Sequence, residues 1–211
     1  EGPMKIATSI VLLKQLASAL AAIHGLGIMH RDLKPENLAV TAQGVLKLFD
    51  FGIARFTSPQ VDQFLTSAGK IAGTPSYLSP EQALQKPSDA RTDVYTFGVL
   101  AFRLLTGRVP FEGKNDFEVL SAHVKKAPPP LKVPGVPPKL AALVMQCLEK
   151  SPDDRPADGA ALVALLDASA PGVTVDQGPL SRSEWSVVSV VLIGASAPRG
   201  AASIPGLPVR P

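Results

Sequence analysis

The sequence predicts an α+β fold that is mainly helical, with a small β-ribbon between the first helix and the rest. Three observations carry this. Apolar residues recur at three- and four-residue steps over residues 7–24, short apolar runs separated by turn residues follow, and from Pro80 to Ala168 the patterned segments are helical.

In the first segment Ile10, Leu13, Leu16, Leu20 and Ile23 form one apolar stripe, and Gly25 supplies a helix stop. The next runs, 28–29, 38–40 and 45–49, predict the ribbon, with the last two joined by a turn over 41–44 that holds a glycine. Residues 57–74 have neither helical nor strand period and are rich in Ser, Thr and Gly, which predicts a long exposed loop. Beyond it come a short turn at 80–84, an apolar helix over 93–105 ended by Gly107, and a helix over 115–125 opened by Asn115-x-x-Glu118. Two more helices, 138–150 and 156–168, each start on a proline. From Pro171 onward Gly, Pro, Ser and Ala dominate without period, so the chain divides into a folded unit, 1–168, and a linker or disordered tail, 169–211.

Composition excludes several classes of function. The 211 residues are 45% hydrophobic and 18% charged, an ordinary globular balance that suffices for one cored domain. A net charge of +3 is scattered, with no basic block, and gives no case for nucleic acid. The single cysteine, Cys147, lies in an apolar run and fits a buried thiol in a reducing compartment. The longest apolar run, 187–195, falls well short of the roughly 20 residues a spanning helix needs. No secretory signal opens the chain, and its first residue, Glu1, reads as a cut inside a longer protein.

The chemistry concentrates in two short stretches. His30-Arg31-Asp32-Leu33-Lys34-Pro35-Glu36-Asn37 lies between two strand candidates, and Asp50-Phe51-Gly52 follows the next strand. Two acids, an amide and a lysine thus meet on loops. Phosphoryl transfer asks for such a set: a carboxylate to orient the attacking hydroxyl, oxygen ligands for a metal, and a cation near the moving group. Either tripeptide alone is uninformative, but both in order and at this spacing are specific. No metal reading attaches to His24, His30 and His123, which sit on separate elements without acidic or cysteine partners at ligand spacing.

On these motifs, from Glu1 to about Ala168, the sequence resembles the protein kinase superfamily, and the resemblance implies a protein-kinase-like fold whose C-terminal lobe is encoded here. It further implies that Asp32 orients the substrate hydroxyl, that Lys34 pairs with the transferring phosphate, and that Asn37 and Asp50 hold Mg²⁺ on the phosphates of ATP. Leu38 would touch the adenine from below. Lys34 and Thr74 are of the serine/threonine type. Ser79-Pro80-Glu81-Gln82 resembles bacterial receptor-type kinases.

The resemblance also implies a frame. Glu81 would pair with Arg155, and Asp93 would bond the backbone of the His30-Arg31 turn. Arg31 beside Asp32 marks a kinase switched by phosphorylation, with Thr66 and Ser67 as acceptors and a kinase homodimer as the setting for trans-autophosphorylation. Phe51 is read either as core or as a switch. No Gly-x-Gly-x-x-Gly loop or Val-Ala-x-Lys strand occurs, so the ATP-gripping N-terminal lobe is expected to be absent from this chain.

Three functions compete at this level. The first is a cytoplasmic serine/threonine kinase acting on protein substrates, present as a fragment inactive on its own and anchored to a membrane, if at all, through a segment outside it. The second is a truncated lobe serving as a binding module. The third is a small-molecule phosphotransferase, against which the Gly73-Thr74-Pro75 and Ser79-Pro80-Glu81 segments speak.

Overall fold

The computed structural model describes residues 4–50 and 74–172. Helix α1, Ile6–His24, turns Ile10, Leu13, Leu16 and Leu20 inward and runs out at Gly25. At 19 residues and a mean hydropathy of 1.8 it is long and apolar enough to cross a bilayer, but here its apolar face packs on other elements of the fold. The run at 28–29 is not a strand. The Ile28 N–H donates to Ile23 O at 2.9 Å, so this stretch closes the end of α1 instead of pairing with a sheet.

Two strands form the ribbon, β1 (Leu38–Val40) and β2 (Leu46–Leu48), antiparallel with Leu38 opposite Leu48 and Val40 opposite Leu46. A turn closed by Gly44 N–H to Thr41 O at 2.9 Å joins them, and Gly44 takes a φ of 78°, which glycine adopts without strain. The ribbon is pinned to α1 by Gln15, whose Nε2 donates to Gly44 O (2.9 Å) and whose Oε1 accepts from Leu46 N (2.8 Å).

The rest is helical: α2 (Pro80–Ala83), α3 (Ala90–Thr106), α4 (Asp116–Lys125), α5 (Pro138–Cys147) and α6 (Gly159–Ser169), with 3₁₀ turns at Pro35–Asn37, Pro75–Tyr77 and Pro152–Asp154. Helix α3 starts three residues before the apolar pattern does, because Asp89 caps it by accepting from Arg91 N, and Asp93 lies within the first turns. It ends at Gly107 in the left-handed conformation. Helix α6 likewise starts at Gly159, not at Pro156, with Asp158 accepting from Ala161 N. Helix α5 stops at Cys147, short of residue 150.

The core gathers α1, α3, α5 and α6, with α1 against α6, α3 and β2, and α3 against α5. Two glycines allow close approaches between core helices. A Cβ on Gly159 would lie 2.2 Å from Ala21 N, and one on Gly98 would lie 2.7 Å from Cys147 Cβ, so only glycine permits these backbones to meet. Cys147 is free and fully buried, and burial pushes its thiol up to about 12. The folded unit extends past residue 168, since Ser169 is helical and Ala170 is buried in the core; the tail beyond residue 172 lies outside the described residues.

Candidate active site

The site begins with a strained turn. Asp32 N–H donates to His30 O at 2.8 Å, closing a three-residue γ-turn around Arg31, whose φ is 62°. A non-glycine residue in this region costs about 1–3 kcal/mol and persists only where neighbours impose it. Asp93 is one of those neighbours. From α3, 1% exposed, it accepts His30 N–H on Oδ2 (2.7 Å) and Arg31 N–H on Oδ1 (2.8 Å).

The same carboxylate meets His24, a residue to which the sequence pattern attached no metal role. His24 Nε2 lies 3.0 Å from Asp93 Oδ2, and His24 Nδ1 lies 3.0 Å from Gly159 N. An amide N–H can only donate, so Nδ1 carries the lone pair and Nε2 the hydrogen that bonds Asp93. His24 therefore joins the end of α1, the first residue of α6 and the turn at Arg31. No local sequence signal announces this, because its two partners lie 69 and 135 residues from it.

Around Asp32 the polar groups converge. Lys34 Nζ donates to Asp32 Oδ2 at 2.8 Å, and Asn37 Nδ2 donates to Asp32 O (2.7 Å) and Oδ2 (3.1 Å). Both partners of Nδ2 are acceptors, which fixes the amide orientation and leaves Asn37 Oδ1 for another ligand. Asp50 is tied to this group through its neighbour. Phe49 N–H donates to Asn37 O (2.8 Å), and Phe49 O accepts from His30 Nε2 (2.8 Å), which sets exposed Asp50, at φ 50°, beside Asn37 and the turn.

Asn37 Oδ1 and the Asp50 carboxylate are hard oxygen donors, the ligand type Mg²⁺ takes. Among the described residues no group of three His, Cys, Asp or Glu could hold a metal. An ion here would thus rest on one carboxylate, one amide and the oxygens of its substrate and water. That sparse set is the usual Mg²⁺ arrangement at phosphates.

A second polar cluster lies behind the first. Arg155 forks onto Glu81, Nη1 to Oε1 at 2.8 Å and Nη2 to Oε2 at 3.0 Å, and its remaining donors reach Glu149 O, Arg91 O and Lys150 O. All five guanidinium hydrogens are placed. Burial alone would raise the Glu81 carboxyl, but the Arg155 bonds and charge, with Thr92 Oγ1 at 2.8 Å, bring it below the ordinary glutamate value. Beneath them Tyr95 OH bonds His123 Nδ1 (2.9 Å), and Lys150 Nζ sits 4.1 Å over the Phe111 ring. Burial and then Lys150 push His123 down to about 3, and burial with Arg155 pushes Lys150 to about 8.

Ser79 and Gln82 form a reciprocal cap on α2: Gln82 N–H donates to Ser79 Oγ (3.2 Å) and Ser79 N–H to Gln82 Oε1 (3.1 Å). The Ser-x-x-Gln spacing in the sequence is that signature and was legible, although only a short turn over 80–84 was predicted. Gln82 Nε2 also donates to Arg31 O at 2.8 Å, a contact across 51 residues that was not.

The sequence candidates thus divide. Asp32, Lys34 and Asn37 are joined by direct bonds, Asp50 through the Phe49 backbone, and Arg31, Asp93, Glu81 and Arg155 belong to the supporting frame. Leu38 differs from expectation. It is 3% exposed in the helical core, because the alternation along β1 turns Leu38 and Val40 inward, and Ala39 is the residue on the open face. Thr74 is exposed and makes no hydrogen bond to Asp32 or Lys34. Phe51, Thr66 and Ser67 lie outside the described residues.

Pinned turn, paired acid and lysine, and oxygen donors at a strand end are a set that phosphoryl transfer can use. Comparison with known proteins agrees: the family model described as "Protein kinase domain" matches residues 1–165, and the chain belongs to that family. It is 45% identical over 177 residues to the serine/threonine-protein kinase pkn2 of Myxococcus xanthus, an alignment covering 80% of this chain and 21% of that protein. It is 36% identical to pkn3 of the same organism, over 100% of this chain and 39% of the relative. With PknL of Mycobacterium tuberculosis it shares 40% identity over 80% of this chain and 42% of the relative. The chain therefore spans between about a fifth and two-fifths of the length of these curated relatives.

Proposed function

We propose that this chain supplies the C-terminal lobe of a serine/threonine protein kinase that transfers the γ-phosphoryl group of ATP to hydroxyls of protein substrates. The observation that carries the reading is the Asp32 carboxylate, bonded at one oxygen by both Lys34 and Asn37 and set at the end of a turn pinned by Asp93. The family and the names of its relatives support it.

On this reading Asp32 accepts a hydrogen bond from the substrate hydroxyl, orients it for in-line attack and takes its proton as the bond to phosphorus forms. Lys34, 2.8 Å from that carboxylate, stands where a cation can balance the phosphoryl oxygens. Asn37 Oδ1 and Asp50 would hold Mg²⁺, which neutralises charge on the phosphates when bound. Ala39, on the open face of β1, takes the place first given to Leu38 as the floor under the adenine.

The phosphate-gripping loop and strand lysine of the family are not among these 211 residues, and we assign them to a separate lobe of the protein. Thr66 and Ser67 remain our candidate acceptors for activation, received in trans from a second copy. A reducing, cytoplasmic setting suits the lone buried Cys147.

The test is Asp32→Asn in the full-length protein. Transfer from Mg·ATP to an acceptor protein such as dephosphorylated casein falls by about 10²–10⁴-fold, the range for loss of a positioned acid–base group. The melting temperature stays within about 2 °C, since the side chain is partly exposed and Asn keeps its size, so no cavity opens. Wild-type transfer rates in that variant would remove the assignment.

A further inference from the structure

The Arg31 turn has two peptide groups to be held, one on each side of the strained residue. Asp93 holds the first, through the Arg31 N–H at 2.8 Å. The second ends in Arg31 O, which takes the Gln82 Nε2 hydrogen at 2.8 Å. Gln82 is 3% exposed, and its side chain is anchored at the other end by Ser79 N–H on Oε1 at 3.1 Å. A buried amide fixed at its oxygen has little freedom in where its nitrogen points. The peptide that Gln82 grips is the one joining Arg31 to Asp32.

We propose that Gln82 is a positioning residue for Asp32, holding the Arg31–Asp32 peptide plane so that the Asp32 carboxylate is aimed at the substrate hydroxyl. This rests on the kinase reading above and deepens it, because it ties the aim of Asp32 to the anchoring of the segment that precedes α2. The cap on α2 and the grip on Arg31 use different atoms of one side chain, so the two roles can be separated by substitution.

Gln82→Glu keeps an oxygen acceptor for Ser79 N–H and so keeps the cap, but replaces the donor toward Arg31 O by a second oxygen that repels it. Ser79→Ala does the reverse: it removes the hydroxyl that accepts from Gln82 N–H and leaves the Gln82 amide on Arg31. Both variants are made in the full-length protein and read three ways: kcat and KM for Mg·ATP and dephosphorylated casein, melting temperature, and hydrogen exchange in the peptide covering residues 28–36.

Gln82→Glu lowers kcat on the order of tenfold or more, as a small misalignment of a catalytic group does. It leaves both KM values within about twofold, and it lowers the melting temperature, because the new carboxylate oxygen is buried against Arg31 O. It also speeds exchange of the Arg31 and Asp32 amides. Ser79→Ala lowers the melting temperature with kcat near wild type and leaves exchange in that peptide unchanged. Wild-type exchange in Gln82→Glu, or kcat losses that follow the melting temperature equally in both variants, would overturn the proposal. The exchange readout needs no catalysis. Faster exchange in Gln82→Glu together with a wild-type protein that transfers no phosphate would sink the kinase assignment and leave the positioning role standing.

Discussion

Two acid–base pairs connect to the start of α3, one through Arg91 and Thr92 and the other through the turn that Asp93 holds, and they are built to opposite ends. Glu81 and Arg155 are dry, with side chains 7% and 0% exposed, and every guanidinium hydrogen meets a protein oxygen. Asp32 and Lys34 are 30% and 22% exposed, and their surroundings fix the backbone beneath them while leaving carboxylate and ammonium open to a ligand. The first pair has no capacity left to bind anything, so it holds structure. The second is held from below by Asp93, Asn37 and Gln82 and has capacity to act. A substitution in the first should therefore read as stability, and one in the second as rate.

The largest expected effect on stability breaks the dry pair. Arg155→Ala strands the Glu81 carboxylate and three backbone carbonyls in the interior, and losing one partner of a buried pair costs about 3–5 kcal/mol. Denaturant unfolding should show this loss, with kcat per folded molecule close to wild type. A variant that unfolds normally but transfers slowly would erase the distinction between the two pairs.

That distinction was only partly legible in the sequence. The motifs that carry Asp32, Asn37 and Asp50 are contiguous, so their place on loops between apolar runs could be read directly, and the stripe of α1 gave that helix to within a residue. The start of α3 was hidden because Ala90, Arg91 and Thr92 carry no apolar period and only the Asp89 cap marks it. Which face of β1 is buried depends on where α1 and β2 lie, so Leu38 and Ala39 could not be told apart. His24 and Gln82 escaped for the same reason. Each acts through hydrogen bonds to partners more than fifty residues away.

Next in size is an acid-side effect confined to the dry cluster. His123 is fully buried against Tyr95, Phe111 and Lys150, with its imidazole pushed down to about 3 by burial first and Lys150 second. Its folded-state value lies below the unfolded one, so the neutral form contributes stability that is present above about pH 6.5 and is lost as pH falls toward 3. Glu81 shifts in the same direction relative to its ordinary 4.5, so its contribution is lost only below that value. The melting temperature should therefore begin to fall below about pH 6.5 and steepen below about 4.5. His123→Gln should flatten the first limb and leave the second. An unchanged first limb in that variant would show that the acid sensitivity lies elsewhere.

The smallest effect concerns the cap of α6, the helix whose first residue bonds His24. Asp158 caps α6 by accepting from Ala161 N at 2.9 Å, and the next residue, Gly159, donates to the His24 that bonds Asp93. Asp158→Ala should cost about 1 kcal/mol, the usual value of such a cap. Gly159 is itself held against Ala21 and Leu20 by the close approach of α6 to α1, so its N–H stays on His24 without the cap. The Asp93 carboxylate then keeps its grip on the Arg31 turn, and kcat should remain within about twofold of wild type, measured beside the unfolding curve. A larger fall in kcat at that modest stability cost would mean that the frame behind α3 and the turn that aims Asp32 are one mechanical unit, and the division between holding and acting would have to be redrawn at His24.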